Sequence, residues 1–355
     1  MSQQAGSGPT AAQHPPGLDL DRLRDYLDRE HPGLVAGPLA AELISGGKSN
    51  LTYRLHDSDH RWVLRRPPLG HVLATAHDMG REHRVIAALA GTAVPVPGVH
   101  LLCTDPEVLG APFYLMDEVL GSVYRTAGDV AGLGRERART ISFRLTDVLA
   151  ELHAIDPAAV GLAGFGRPEG YLQRQLDRWL KQFESSRSRE IDGMAELQQR
   201  LTEQLPQSQR STVVHGDYRL DNAIIADDDS VAAVLDWEMA TLGDPLADVG
   251  LLKVYWEIAG RIPGNPVAQA VSPDAGFPGM DELAERYAGR TGLDLAPLPW
   301  YTAFAGFKLA VISEGIHYRY TQGKTVGEGF AHIGGLVPLL VAASLETLLK
   351  PEGNN

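Results

Sequence analysis

Val213-Val214-His215-Gly216-Asp217-Tyr218-Arg219-Leu220-Asp221-Asn222, followed by Val234-Leu235-Asp236-Trp237-Glu238, is the stretch whose reading decides the fold. Two short apolar runs each end in a polar cluster. Val213 and Val214 are β-branched and spell a buried strand that delivers His215 and Asp217 to its end. Ile224 and Ile225 resume the strand pattern, and Val231 to Leu235 repeat it. Asp227-Asp228-Asp229-Ser230 is the turn between those two strands. Asp217, Asn222 and Asp236 are therefore expected at the open ends of neighbouring strands, converging on one place.

That trio suits phosphoryl transfer. Such chemistry needs a carboxylate to orient an attacking hydroxyl and accept its proton. It also needs oxygen ligands for a Mg2+ ion that bridges nucleotide phosphates. Asn222 follows Asp217 by five positions, the spacing of the kinase catalytic loop, in which the Asp is the base and the Asn a metal ligand. Asp236 is then the second metal ligand, at the place where protein kinases carry Asp-Phe-Gly. Here the chain has Asp-Trp-Glu.

His-Gly-Asp, Asn222, Leu235-Asp236-Trp237-Glu238 and Gly243-Asp244-Pro245-Leu246-Ala247-Asp248 together resemble the aminoglycoside phosphotransferase and choline kinase superfamily. Within it, His-Gly-Asp-Tyr-Arg-Leu-Asp-Asn is most similar to the phosphotransferases related to kinase domains fused to some eukaryotic acyl-CoA dehydrogenases. The resemblance runs from about Leu39 onward, and its combined motif is specific where each fragment alone is weak. It implies an α+β, two-lobed protein-kinase-like fold. A small antiparallel-sheet N-terminal lobe, a larger mainly helical C-terminal lobe and ATP between them are expected. It further implies Asp217 as catalytic base, Mg2+ on Asn222 and Asp236, and Asp248 as the acid that accepts backbone N–H bonds of the catalytic loop. His215 is expected beside the reacting groups in support. Glu238 is either a water-mediated metal contact or a structural acid.

Residues 1–16 are mostly Gly, Ser, Gln, Ala and Pro without a basic or apolar segment, so they read as a disordered tail rather than a secretory signal. Asp19 or Asp21 can cap a helix with Leu20, Leu23, Tyr26 and Leu27 on one face. Three strands follow, Leu39 to Ile44, Leu51 to Leu55 and Trp62 to Arg65. The first turn contains Gly46, Gly47, Ser49 and Asn50, whose amides can cradle an anion; an ordinary hairpin loop is the plain alternative. Gly47-Lys48-Ser49 imitates the end of a P-loop, but the upstream glycine is Glu42 and a strand follows, so that reading fails. Arg65 occupies the place of the kinase lysine that pairs the nucleotide phosphates, and Glu82, on a helix from about Ala76 to Leu89, is its candidate partner. The competing view makes Arg65 and Arg66 surface charges on an edge strand and leaves Glu82 solvated or paired with Arg81 or Arg84. Met116, Glu118 and Val119 fall at the lobe linker, where backbone groups could meet an adenine edge. Residues 17–117 form the expected nucleotide-binding lobe and 118–350 the catalytic and acceptor-binding lobe.

Beyond Gly121 the pattern is helical. Arg135 to His153 carries Ile141, Leu145, Val148, Leu149 and Leu152 at core spacing, and His153 reads as structural. Further helices are expected over 171–183, 195–205, 245–258, 280–291, 300–320 and 333–349, with 185–192 exposed and 260–278 a loop. Arg219, Lys308, Glu314 and Tyr318 are the expected acceptor-pocket residues, because the C-terminal helices line that pocket in similar kinases.

A single cysteine, Cys103, excludes a disulfide framework and fits a cytoplasmic setting. A net charge of −13 argues against a nucleic-acid partner, and no apolar run reaches the roughly 18 residues of a membrane span. The expected activity is ATP- and Mg2+-dependent phosphorylation of a hydroxyl on a small molecule, a hydroxyacyl-CoA-like metabolite before an aminoglycoside. The alternatives are a pseudokinase that binds without turnover, a protein kinase, and a metal-dependent hydrolase built on His215, Asp217 and Asp236. A protein kinase lacks its Ala-Pro-Glu segment here.

Overall fold

The structure, a computed structural model, describes residues 15–44, 50–69, 78–258, 269, 271, 273–324 and 332–349. The chain divides into two compact units, residues 1–87 with 97–118, and residues 88–96 with 119–355.

The first unit opens with α1 (Leu20–Glu30). Asp19 caps it by accepting from the backbone N–H of Asp21 and Arg22, each at 3.1 Å. Then come β1 (Ala40–Leu43), β2 (Leu51–His56), β3 (Arg61–Arg66), α2 (Met79–Leu89), β4 (Val99–Cys103), α3 (Pro106–Leu109) and β5 (Phe113–Asp117). The strands form one antiparallel sheet in the order β1-β2-β3-β5-β4. Alternate residues Tyr53 and Leu55, Trp62 and Leu64, Phe113 and Leu115 turn to one face, as the two-residue strand period requires. That face shares a core with Leu20, Leu23 and Leu27 of α1.

Two expectations change here. β3 is the central strand and not an edge, so Arg66 is buried and donates to Leu109 O at 2.8 Å and to Gly17 O. Pro16, the last residue of the expected tail, belongs to the fold, because its carbonyl accepts the Tyr53 hydroxyl at 2.5 Å. A carbonyl tied to a buried tyrosine is part of the fold. Residues 1–14 lie outside the described residues.

The second unit contains α4 (Ala127–Val130), α5 (Arg135–Ala154), α6 (Tyr171–Ser186), α7 (Met194–Glu203), β6 (Thr212–Val214), β7 (Ala223–Ile225), β8 (Val231–Val234), β9 (Thr241–Gly243), α8 (Leu246–Lys253), α9 (Met280–Thr291), α10 (Leu298–Thr321) and α11 (Ile333–Leu349). β7 and β8 form the expected hairpin. β6 pairs instead with β9, a Thr-Leu-Gly segment too short to show a strand period. The helix expected over 245–258 is α-helical only to Lys253, and Val254–Ile258 winds as a wider π turn. The segment 185–192 is not simply exposed. Ser188 and Arg189 bond the buried Glu314 carboxylate, and Ile191 is buried. The loop expected over 260–278 falls largely outside the described residues. Among the described residues, no helix is long and apolar enough to cross a membrane.

The β2–β3 turn yields a stability test. Asp57 accepts backbone N–H bonds from Ala36 at 2.6 Å and from Asp59 and His60 at 2.7 Å each. Burial pushes its carboxyl up, but those amides and the His60 ring outweigh it and bring the pKa down to about 2. A depressed carboxyl stabilises the fold fully above the ordinary carboxylate range and loses that contribution as pH falls through about 2. Asp57→Ala is expected to cost about 2 kcal/mol near neutrality. In urea unfolding followed against pH, the gap between variant and wild type should close on acidification.

Candidate active site

The polar residues of the opening stretch are gathered by backbone pairing in the second unit. In the β7–β8 ladder Ala223 faces Val234, and Leu235 N–H donates to Asn222 O at 2.8 Å. Asn222 and Asp236 are thereby neighbours across the mouth of one hairpin. His215 joins them, since its Nε2 donates to Leu235 O at 2.9 Å and its Nδ1 accepts the Asp217 N–H at 3.2 Å. The Asn222 amide donates to Asp217 O at 2.9 Å and to Asp217 Oδ2 at 3.0 Å. Asp217, Asn222 and Asp236 thus meet at one place, although β6 and the β7–β8 hairpin belong to separate sheets.

The loop's shape has two backbone requirements. Gly216 has φ +83°, and a Cβ there would lie 2.8 Å from Met239 Cβ and Met239 O. Only glycine fits that approach. Asp236 is also left-handed, with φ 66°. Trp237 beside it is fully buried, donates from Nε1 to Val234 O at 3.0 Å and packs on the His215 ring at 4.6 Å between centroids.

Asp248, in the first turn of α8, accepts His215 N–H at 2.6 Å and Gly216 N–H at 2.8 Å. It also takes His153 Nε2 at 3.2 Å, and His153 Nδ1 lies 2.7 Å from the Tyr287 hydroxyl. Burial pushes the Asp248 carboxyl up, but the His153 hydrogen bond and the backbone N–H of His215 outweigh this and hold it below the ordinary carboxylate value. His153, read from sequence as structural, supports the catalytic loop through this acid.

In the first unit, Arg65 Nη1 lies 2.9 Å from Glu82 Oε1, with both side chains largely buried. A buried pair of this kind is not the solvated helix charge of the competing reading. Gly46, Gly47 and Ser49 lie outside the described residues; Asn50 is buried at the start of β2. The linker residues divide. Met116 is paired on both sides within the sheet, so its backbone groups belong to the ladder and not to a nucleotide edge. Glu118 N–H donates to Arg61 O at 3.3 Å, and its side chain pairs with Arg54. That donor, too, is used within the unit. Val119 is half-buried where the chain passes to the second unit.

Residues 40–286 match the phosphotransferase enzyme family. The chain belongs to that family. It is 33% identical to a solved structure from Ralstonia eutropha JMP134 described as a "putative aminoglycoside phosphotransferase", with a TM-score of 0.82 over 93% of this chain and 98% of that one. A thermostable mutant of aminoglycoside phosphotransferase APH(4)-Ia, solved with AMP-PNP and hygromycin B, shares the fold at 16% identity and a TM-score of 0.61, over 93% of this chain and 99% of that one. The chain is also 36% identical over 312 residues to acyl-CoA dehydrogenase family member 10 of Mus musculus, covering 85% of this chain and 29% of that protein. It is 33% identical to family member 11 of Gallus gallus, covering 98% of this chain and 45% of that protein. The chain spans less than half the length of these curated relatives. The α+β kinase-like fold is that of the family, with an antiparallel-sheet N-terminal unit and a helical C-terminal one.

The residues expected in an acceptor pocket separate into two groups. Arg219 is at the site: its Nε lies 3.4 Å from Asp217 Oδ2 and its Nη1 3.0 Å from Asp221 Oδ2. Lys308 also reaches the loop, donating to Gly216 O at 3.0 Å. Burial pulls its ammonium below the ordinary lysine value, partly offset by Asp217 and Asp248. Glu314 is a correction. It is fully buried and holds Ser188 Oγ at 2.6 Å and Arg189 Nη2 at 3.1 Å, so its carboxylate ties α10 to the segment after α6. Tyr318, near the end of α10, is exposed. Glu238 is half-buried in the short turn after Asp236. Tyr255 went unread in the sequence, yet its hydroxyl donates to Asp217 Oδ1 at 2.7 Å.

Asp248→Ala would leave two buried amide donors and the His153 ring without their shared acceptor. The expected cost is about 3–5 kcal/mol, the range for removing one partner of a buried charged pair. Urea unfolding of variant and wild type checks it; a loss under ~1 kcal/mol would mean the loop keeps its shape without Asp248.

Proposed function

We propose that this chain transfers the γ-phosphoryl group of Mg·ATP to a hydroxyl of a small molecule. The observation that carries the reading is the bonding that gathers this loop: the Asn222 amide on Asp217, Leu235 N–H on Asn222 O, and His215 on Leu235 O, with Asp236 the next residue in the chain. Asp217 is the base. The acceptor oxygen forms its bond to the γ-phosphorus as the bond to the β–γ bridging oxygen breaks. The proton passes to the Asp217 carboxylate, and ADP leaves with the bonding pair.

The donor set suits magnesium. With its NH2 group engaged on Asp217, Asn222 offers its carbonyl oxygen, and Asp236 offers a carboxylate; both are the hard oxygen ligands that Mg2+ takes. Mg2+, when bound, offsets the charge of the nucleotide phosphates. The hydrolase alternative loses its histidine, because both His215 ring nitrogens are already bonded within the loop. Nothing at the site favours a binder without turnover.

For the acceptor, a hydroxyacyl-CoA-like metabolite is preferred to an aminoglycoside. Arg219 and Lys308 bring two cations to the neighbourhood of Asp217, which suits an anionic acceptor better than a polycation. The similarity to acyl-CoA dehydrogenase family members points the same way.

The test is ADP release with Mg·ATP across hydroxyacyl-CoAs, aminoglycosides, amino alcohols and hydroxylated amino acids. Hydroxyacyl-CoAs should give the fastest release. Asp217→Asn should lower kcat by at least about 100-fold while ATP still shifts the melting temperature. Asn222→Ala should raise the Mg2+ concentration needed for half-maximal rate. Equal release by Asp217→Asn and wild type would remove Asp217 as base.

A further inference from the structure

Buried tyrosines need a partner for their hydroxyl, and most in this chain find one in the framework. Tyr218 donates to Leu145 O at 2.8 Å, and Tyr287 meets the His153 ring. Tyr255 differs. It is almost fully buried, and its hydroxyl donates to Oδ1 of Asp217 at 2.7 Å. Burial, with the charge of Asp217, pushes its phenol well above the ordinary tyrosine value, so it remains a protonated donor.

The two oxygens of Asp217 are held from different directions. Oδ2 receives the Asn222 amide at 3.0 Å and lies 3.4 Å from Arg219 Nε. Oδ1 receives Tyr255. The Arg219 guanidinium in turn packs over the Tyr255 ring, 5.3 Å from its centroid. A carboxylate anchored through one oxygen can still swing about its terminal torsion, which is broad and two-fold. One anchored through both cannot.

Tyr255 owes its place to the π turn that continues α8. It follows Asp248 by seven residues, and both reach the same loop. Asp248 grips the backbone of the catalytic loop at His215 and Gly216, and Tyr255 reaches the side chain of the next residue. The π turn over Val254–Ile258 begins just where this second contact is made, and such turns recur at functional sites.

We infer that Tyr255 is a positioning residue for the catalytic base: through its O–H on Oδ1 it fixes the orientation of the Asp217 carboxylate toward the attacking hydroxyl. The inference rests on Asp217 being the base of the proposed phosphotransfer. One lone pair of Oδ1 takes the tyrosine proton and the other stays open to the acceptor, so Tyr255 orients the carboxylate without blocking it.

Tyr255→Phe tests this, since it removes a single oxygen and keeps the ring beneath Arg219. Crystals of wild type and variant grown under the same conditions should show the Asp217 carboxylate turned, or in more than one orientation, in the variant. With Mg·ATP and a hydroxyacyl-CoA, kcat should fall roughly 10–100-fold while KM for ATP and the melting temperature hold. An unmoved carboxylate overturns the inference. So does an unchanged kcat, including the case in which only the acceptor KM rises and Tyr255 is a wall of the acceptor site. If wild type and Asp217→Asn are equally silent with every acceptor, the phosphotransfer reading fails instead, and the crystals still decide whether Tyr255 orients Asp217.

Discussion

A buried carboxylate holding two successive backbone amides is the constraint on which the rest of the site depends. Asp248 is 1% exposed and bonds His215 N–H and Gly216 N–H. Burying a charge is costly unless it is fully bonded, and here the two amides and the His153 ring supply the bonds. The arrangement therefore has little slack. If α8 shifts, the amides at 215 and 216 lose their acceptor, and Asp217 moves with them. If His153 shifts, Asp248 keeps its amides but loses its hydrogen bond to the imidazole. The loop that carries His215, Gly216 and Asp217 is thus fixed by helices α5 and α8, not by its own short strand.

Much of this was legible in the sequence, and the part that was not has a physical reason. The β7–β8 hairpin announced itself by two apolar runs around an Asp-Asp-Asp-Ser turn, because period and turn chemistry are local signals. The Asp19 cap, the central run of α5 and the positions of the N-terminal strands along the chain were readable for the same reason. β9 was not, since three residues carry no period and its partner β6 lies far away in sequence. Nor was the central place of β3, because strand order is a property of the whole sheet. Glu314 was misread for a related reason. A polar residue on a helix gives no local sign of whether a distant arginine awaits it, and Arg189 lies on a segment that looked merely charged. Tyr255 left one usable trace, its seven-residue spacing from Asp248, but only the fold shows that both reach the catalytic loop.

Net charge proved a poor guide to the site. The chain carries −13 overall, which leans toward cationic partners. Around Asp217, however, Arg219 and Lys308 are the long side chains in contact with the loop, and neither is spread over open surface. Arg219 is locked between two aspartates and an aromatic ring, and Lys308 is drawn onto a carbonyl. Charges fixed by neighbours set a local potential that the surface total does not report. A chain can therefore be acidic as a whole and still hold cations beside one of its carboxylates.

Two residues of the site share one unusual backbone conformation for opposite reasons. Gly216 has φ +83° because Met239 leaves no room for a Cβ. Asp236 has φ 66° although a side chain there costs roughly 1–2 kcal/mol relative to glycine. Packing chose the first residue, but packing cannot have chosen the second, since glycine would relieve the strain. The surroundings hold Asp236 in place from both sides: Leu235 is bonded through N–H to Asn222 and through its carbonyl to His215, and Trp237 is buried with its indole N–H on Val234. Strain that the framework enforces and glycine would remove is kept for what the side chain adds. Here that is a carboxylate next to Asn222, at the end of the same hairpin. The conformation of Asp236 is thus an argument for its chemistry that is independent of the motif in which it stands.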